Sequence, residues 1–252
     1  MMLILELLGI GIKFLDSSQV KTENQQVALS MELDAASIPM SSIVATLVSS
    51  KKAAGSMMSA NNLKQIALGF HNFEATYKRL PNSQRNPNPQ FANPKMPCSW
   101  RVAILPFIEQ NQLYQQYKFD APWDSKDNLT LLDKMPAVFR HPDAVPGSTD
   151  TCYVMTTDEE TIFTPNKNAD FTSITDGTSN TIMLVEAKTS IPWTKPEDFE
   201  YSAEKPLPNF GNFSSQVFNV AFADGFVRFL PKSTDEASLR SMLTARGGEL
   251  VK

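Results

Sequence analysis

The apolar positions of this chain repeat with two different periods. Between Ser41 and Tyr77 they recur at steps of three and four. Leu63, Ile66, Phe70, Phe73 and Tyr77 therefore share one face of a helix. The first half of the stretch carries Ile43, Val44, Leu47, Val48, Ala53, Ala54, Met57 and Met58, a looser pattern richer in small residues. Ser37 is placed to cap such a helix and Pro39 to sit in its first turn. Unbroken, it would run roughly 55 Å at about 1.5 Å per residue. Gly55 is the weak point, so the pattern fits either one long spine or two ordinary core helices.

Beyond Cys152 the chain reads as mostly β. Cys152 to Met155 is one short apolar run, and Thr181 to Glu186 is another, rich in β-branched residues and preceded by Asp176-Gly177. Phe218 to Phe222 and Phe226 to Leu230 flank Ala223-Asp224-Gly225, the signature of a hairpin. Thr234 to Ala237 opens a last helix to about Ala245, closed by Gly247-Gly248.

Between these parts, Pro81 to Pro89 is a loop by composition. Ser99 to Tyr117 is a strand or helix start broken by Pro106, then a short helix carrying Phe107, Ile108, Leu113 and Tyr114. A second short helix is expected from Asn128 to Met135, with Asp124 or Ser125 near its start. Ahead of the long helix, residues 1–36 read as a helix over about 2–10 plus a β-hairpin with its turn at Thr22-Glu23-Asn24. That unit is too small to fold alone.

Composition narrows the partners. The chain has 252 residues, 42% hydrophobic and 20% charged, which is globular rather than disordered. Seventeen Pro against ten Gly implies ordered loops. The net charge is −4 and no basic cluster exceeds Lys51-Lys52, so nucleic acid is not an expected partner. The apolar run Met1 to Ile12 is interrupted by Glu6 and is too short to span a bilayer, so no membrane contact is expected through this chain. Cys98 and Cys152 fit either one disulfide or two free buried thiols, and no Cys-x-x-Cys points to zinc or redox chemistry.

Motifs for catalysis are missing. No phosphate-binding Gly loop, nucleophile elbow or His-Glu-x-x-His run is present. His71 reads as a partly buried helix residue, and His141 as a loop residue without companion ligands. Asp176-Gly177-Thr178-Ser179-Asn180 has two readings. Asp176, Ser179 and Asn180 offer oxygens to a cation such as calcium, or the segment is a self-satisfied turn. Trp100, Trp123 and Trp193 fit either sugar-binding loops or rings that pin loops to a core. A hydrolase would need two carboxylates converging in a pocket, and nothing in the pattern singles out such a pair. The expectation is a protein without catalytic residues and without a required cofactor.

Five runs together carry a resemblance. They are Asn61-Asn62-Leu63-Lys64-Gln65-Ile66 with His71-Asn72 and Tyr77; Ser99-Trp100-Arg101-Val102 with Leu105-Pro106 and Glu109-Gln110; Asp176-Gly177-Thr178-Ser179-Asn180-Thr181-Ile182 with Glu186; Pro192-Trp193 through Glu197-Asp198; and Phe222-Ala223-Asp224-Gly225 with Arg228-Phe229-Leu230. The chain resembles a family of unknown function, numbered 1559 and abundant in planctomycete bacteria, over about residues 43–251. The resemblance implies a pseudopilin-like, secretion-related protein of the cell envelope or exterior. It implies an α+β, pilin-like fold: a long N-terminal helix packed on an antiparallel β-sheet with long loops, over residues 37–252. Residues 1–36 then resemble the end of a different upstream α/β domain. Partners would be other protein subunits or that upstream domain, engaged through the long helix. The rival reading, drawn from the Trp and Asp-Gly loops themselves, is an extracellular binding module for sugar, peptide or cation. Three features depart from the family pattern. No prepilin run precedes the helix; Ser214 stands where a His-x9-Asp-Gly histidine is usual; and His141-Pro142-Asp143 replaces Cys-Pro-Ser-Asp.

Overall fold

The computed structural model describes residues 18–23, 26–31, 40–83, 96–164, 167–208, 210–211 and 216–248. The helix expected over 2–10, Ser37, Pro39, Ser214 and most of the 81–89 loop lie outside the described residues. The chain divides into two compact units, Met1–Ala54 and Gly55–Lys252. In the first, β1 (Ser18–Glu23) and β2 (Gln26–Met31) pair antiparallel with Glu23 opposite Gln26; a hairpin is present, but Thr22 and Glu23, expected in its turn, are paired residues of β1.

Helix α1 (Met40–Tyr77) is a single element, so Gly55 does not split it. Gly55 is buried, and a Cβ there would lie 3.3 Å from an Asp143 carboxylate oxygen. The missing side chain admits the loop after His141, and packing offsets the roughly 1 kcal/mol that glycine costs a helix. Within the second unit, Leu63, Ile66, Phe70 and Phe73 are fully buried on one face. Each such side chain contributes about 1.5–3 kcal/mol. Tyr77, the expected last member of that stripe, is instead 37% exposed and leans on the rings of Phe73 and Phe107.

Four short turns follow. These are α2 (Trp100–Ala103), a 3-10 turn at Leu105–Ile108, α3 (Asn111–Gln116) and α4 (Lys126–Leu129). Pro106 falls inside the 3-10 turn, where a missing N–H is harmless. The helix expected over 128–135 starts earlier and is broken, with α4 ending at Leu129 and a separate 3-10 turn at Leu132–Lys134. Local bonds explain the break. Ser125 caps α4 by accepting the Asn128 N–H, and the Thr130 hydroxyl donates to Asp127 O at 2.6 Å. Asn128 itself is buried and bonds both N–H and O of Lys118, so it fastens the preceding loop.

The sheet is built from β3 (Asp150–Val154), β5 (Ile182–Pro192), β7 (Val217–Phe222) and β8 (Val227–Pro231), in that order and antiparallel throughout. A two-residue parallel pair, β4 (Thr156–Thr157) with β6 (Phe199–Glu200), forms a separate small sheet. Both faces are covered. On β7, Ala221 joins the core that contains Leu63, Ile66 and Phe70, whereas Phe218, Val220 and Phe222 join a second core with Met242 and Leu243 of α5 (Glu236–Leu243). The hairpin turn at Ala223-Asp224-Gly225 is as expected, with Gly225 at φ 84°. Strand β5 runs well past the expected Glu186, because backbone bonds rather than alternation carry it to Pro192. Cys98 and Cys152 are both free and buried. Burial pushes both thiols well up, which keeps them protonated and poor nucleophiles.

Candidate functional site

The strongest chemistry in the molecule lies under the helix, around Glu186. This carboxylate on β5 is almost wholly buried and collects four donors. Asn219 of β7 gives its backbone N–H to Oε2 at 2.9 Å and its side-chain amide to Oε1 at 2.8 Å. The Ser59 hydroxyl of α1 bonds the same carboxylate, and His141 Nε2 stands 3.5 Å from Oε1. The Asp143 N–H donates to His141 Nδ1 at 3.1 Å, which leaves Nε2 to carry the proton toward Glu186. Ser59 also bonds the Tyr153 hydroxyl at 2.8 Å, and Asn62 donates to that hydroxyl at 3.2 Å and to Arg140 O at 3.1 Å. Burial alone would raise the Glu186 carboxyl; the bonds from His141, Ser59 and Asn219 outweigh it and hold it below its usual value. Burial drives the Tyr153 hydroxyl far up, so it stays neutral.

A second polar knot joins α2 to the loop after β5. Arg101 is fully buried and pairs with Asp198 at 3.1 Å. It donates to Tyr153 O at 2.7 Å and stacks 4.4 Å over the Trp100 ring. Asp198 also accepts from Trp100 Nε1 at 2.9 Å, from the Ser83 hydroxyl at 2.8 Å and from the Met155 N–H at 3.1 Å. Burial lowers the Arg101 guanidinium and the Asp198 charge opposes that. An ion pair this enclosed is held by geometry on both sides.

The two Asp-Gly turns, far apart in sequence, are neighbours in space. The Asp224 N–H donates to Thr178 O at 3.0 Å, the Ala223 N–H to Thr181 O at 2.9 Å, and Arg228 to Ser179 O at 3.3 Å. Asp176 turns outward from this junction. Its two carboxylate oxygens accept the Gly247 and Gly248 N–H groups at 2.8 and 3.0 Å, tying down the chain after α5. The Asn180 side chain donates to Asp176 O at 3.1 Å, so its amide nitrogen serves the turn. The bonds of Asp176 and Asn180, and of Ser179 O, thus hold the turn in place.

The tryptophans separate. Trp100 and Trp193 are at 0% exposure; Trp193 donates to Leu132 O at 3.1 Å and lies parallel to Phe139. Trp123 is half-buried with Lys195 6.0 Å above its ring. Of the remaining motif residues, Leu63 is core, while Asn61, Lys64 and Gln65 face outward. Glu109 is exposed and adopts a left-handed φ of 62° at the end of its 3-10 turn. Sequence reasoning missed Ser59, His141, Tyr153 and Asn219 as members of one cluster. Only Asn219, a lone amide inside an apolar strand, left a visible signal. Arg101 and Asp198 sat in motif runs without an assigned role.

The sequence matches the model of a family described as "Protein of unknown function (DUF1559)" over residues 49–161 and 147–209. The chain belongs to this family. The DUF1559 segments contain Ser59, Asn62, Arg101, His141, Tyr153, Glu186 and Asp198, so both knots except Asn219 fall inside the matched span. No curated protein and no solved structure matches the chain.

Proposed function

We propose that this DUF1559 protein is a non-catalytic structural or assembly component of the bacterial cell envelope, pseudopilin-like, that joins other protein subunits through its long helix. The observation that carries the proposal is the uneven use of α1. Its second half is seated through Leu63, Ile66, Phe70 and Phe73, whereas Val44, Leu47 and Val48 are 51%, 61% and 47% exposed. Their spacing of three and four makes one apolar stripe on the helix, and a bare stripe of this kind marks a surface that packs on another chain. The polar motif residues support the same reading. Asn62, Trp100, Glu186 and Trp193 are engaged in holding helix, sheet and loops together, and two of the three tryptophans are inaccessible to a sugar.

Sedimentation velocity across a concentration series tests the proposal. The wild-type protein should associate, and the double change Leu47→Asp with Val48→Asp should leave it monomeric with its melting temperature unchanged. A wild-type chain that stays monomeric up to about 1 mM, beyond which contacts are too weak to organise an assembly, would overturn the reading.

A further inference from the structure

We propose that the open edge of the sheet, strand β8, takes up an extended segment of another protein that carries an acidic residue between two apolar ones. In the order β3-β5-β7-β8, β8 has a neighbour on one side only. Its ladder with β7 is closed at both ends, where the Phe222 N–H donates to Phe226 O and the Lys232 N–H to Gln216 O, each at 2.9 Å. Between them Arg228 stands opposite Val220 and Leu230 opposite Phe218, and the register runs without a bulge. Bonded and non-bonded pairs alternate along an antiparallel ladder, so Arg228 and Leu230 direct their backbone groups to β7 while Val227 and Phe229 turn theirs outward. Among the described residues nothing bonds those two N–H and two C=O groups. Pro231 ends the row, with no N–H of its own and its carbonyl taken by the Thr234 N–H at 3.0 Å.

The opposite edge is closed. On β3 the Tyr153 carbonyl accepts from Arg101 at 2.7 Å and the Tyr153 N–H donates to Thr151 Oγ1 at 3.2 Å; just past the strand the Met155 N–H donates to Asp198 at 3.1 Å. Edges are commonly guarded by such cover, by bulges or by charges held along the rim. On β8, Arg228 lies 4.4 Å over the Phe222 ring and donates to Ser179 O at 3.3 Å, so its side chain rests on the face of the sheet and leaves the backbone row open. Phe229 and Phe226, 48% and 61% exposed, supply apolar surface beside that row. No carboxylate pairs with Arg228 among the described residues. Charge therefore selects the occupant. An incoming strand that bonds both Val227 and Phe229 sets its middle residue opposite Arg228, where an acid is favoured and a cation is not. A second copy of β8 would use all four backbone groups only by setting Arg228 against itself. The residues on either side of the acid fall opposite Val227 and Phe229, which suits apolar side chains.

The probe is the acetylated and amidated pentapeptide Thr-Val-Glu-Val-Thr, titrated into the isotopically labelled full chain and followed by NMR at the Val227 and Phe229 amides. Saturable shifts of both amides are expected, with a Kd of about 1 mM or tighter. The same peptide with Lys in place of Glu should bind about fivefold more weakly. Arg228→Gln, which keeps a long polar side chain, should bring the two peptides level with an unchanged melting temperature. Four outcomes would overturn the proposal: no saturable shift at either amide, equal binding by a peptide methylated at both valine nitrogens, equal binding of the Glu and Lys peptides by the wild-type chain, or movement of the two amides with protein concentration alone, which would put a second copy on the edge. The assembly test reads Leu47 and Val48 and this one Val227 and Phe229, so either can fail without the other.

Discussion

Glu186→Gln isolates what the buried knot contributes. The substitution keeps the shape and removes one acceptor oxygen, so an amide NH2 now faces donors that the carboxylate had satisfied. Ser59 can rotate its hydroxyl, but the two Asn219 donors bond different oxygens, at 2.9 and 2.8 Å, and one of them loses its acceptor. An orphaned buried donor costs about 1–3 kcal/mol, and bonds to a charged acceptor lie toward the upper end. A loss of about 2–3 kcal/mol corresponds to a melting temperature lower by roughly 4–12 °C for a unit of this size. The carboxyl is held below its usual value in the folded protein, whose reference is 4.5. A depressed folded pKa means the stabilisation is present in full above the unfolded value and is lost as pH falls through the folded one. Melts followed by circular dichroism at pH 7, 5.5, 4 and 3 should therefore show a constant gap between wild type and variant at the two higher values, closing toward pH 3. A variant as stable as wild type at pH 7, or a gap that widens in acid, would refute the reasoning.

Replacing Arg101 by Met leaves Asp198 buried without its cation and should cost about 3–5 kcal/mol in urea unfolding, whereas a change under 1 kcal/mol would show that the pair is incidental. Calcium titration with thermal melting addresses the Asp-Gly turn. Both Asp176 oxygens already accept backbone N–H groups, so millimolar calcium should leave the melting temperature where it is. A rise of several degrees that disappears in Asp176→Ala would make the turn a cation site.

Local period and local turn chemistry carried much of the architecture. The three-and-four spacing of Leu63, Ile66, Phe70 and Phe73 determines a buried helix face, because those side chains project together whatever they meet. Asp224-Gly225 between two apolar runs determines the β7–β8 hairpin, because a glycine there accepts φ 84° without strain. The Asn61-Asn62-Leu63-Lys64-Gln65-Ile66, Trp100 and Asp176-Gly177 runs were enough to indicate the family. Tertiary structure alone decided the continuity of α1 at Gly55, where close approach of Asp143 outweighs poor helix propensity. It also decided the break after α4, where side chains compete for backbone groups. The Glu186 knot draws Ser59, His141, Tyr153 and Asn219 from four separate segments, with up to 127 positions between bonded partners. No periodicity records such a meeting, because a buried carboxylate selects its donors by their distance in the folded core, not by their place along the chain.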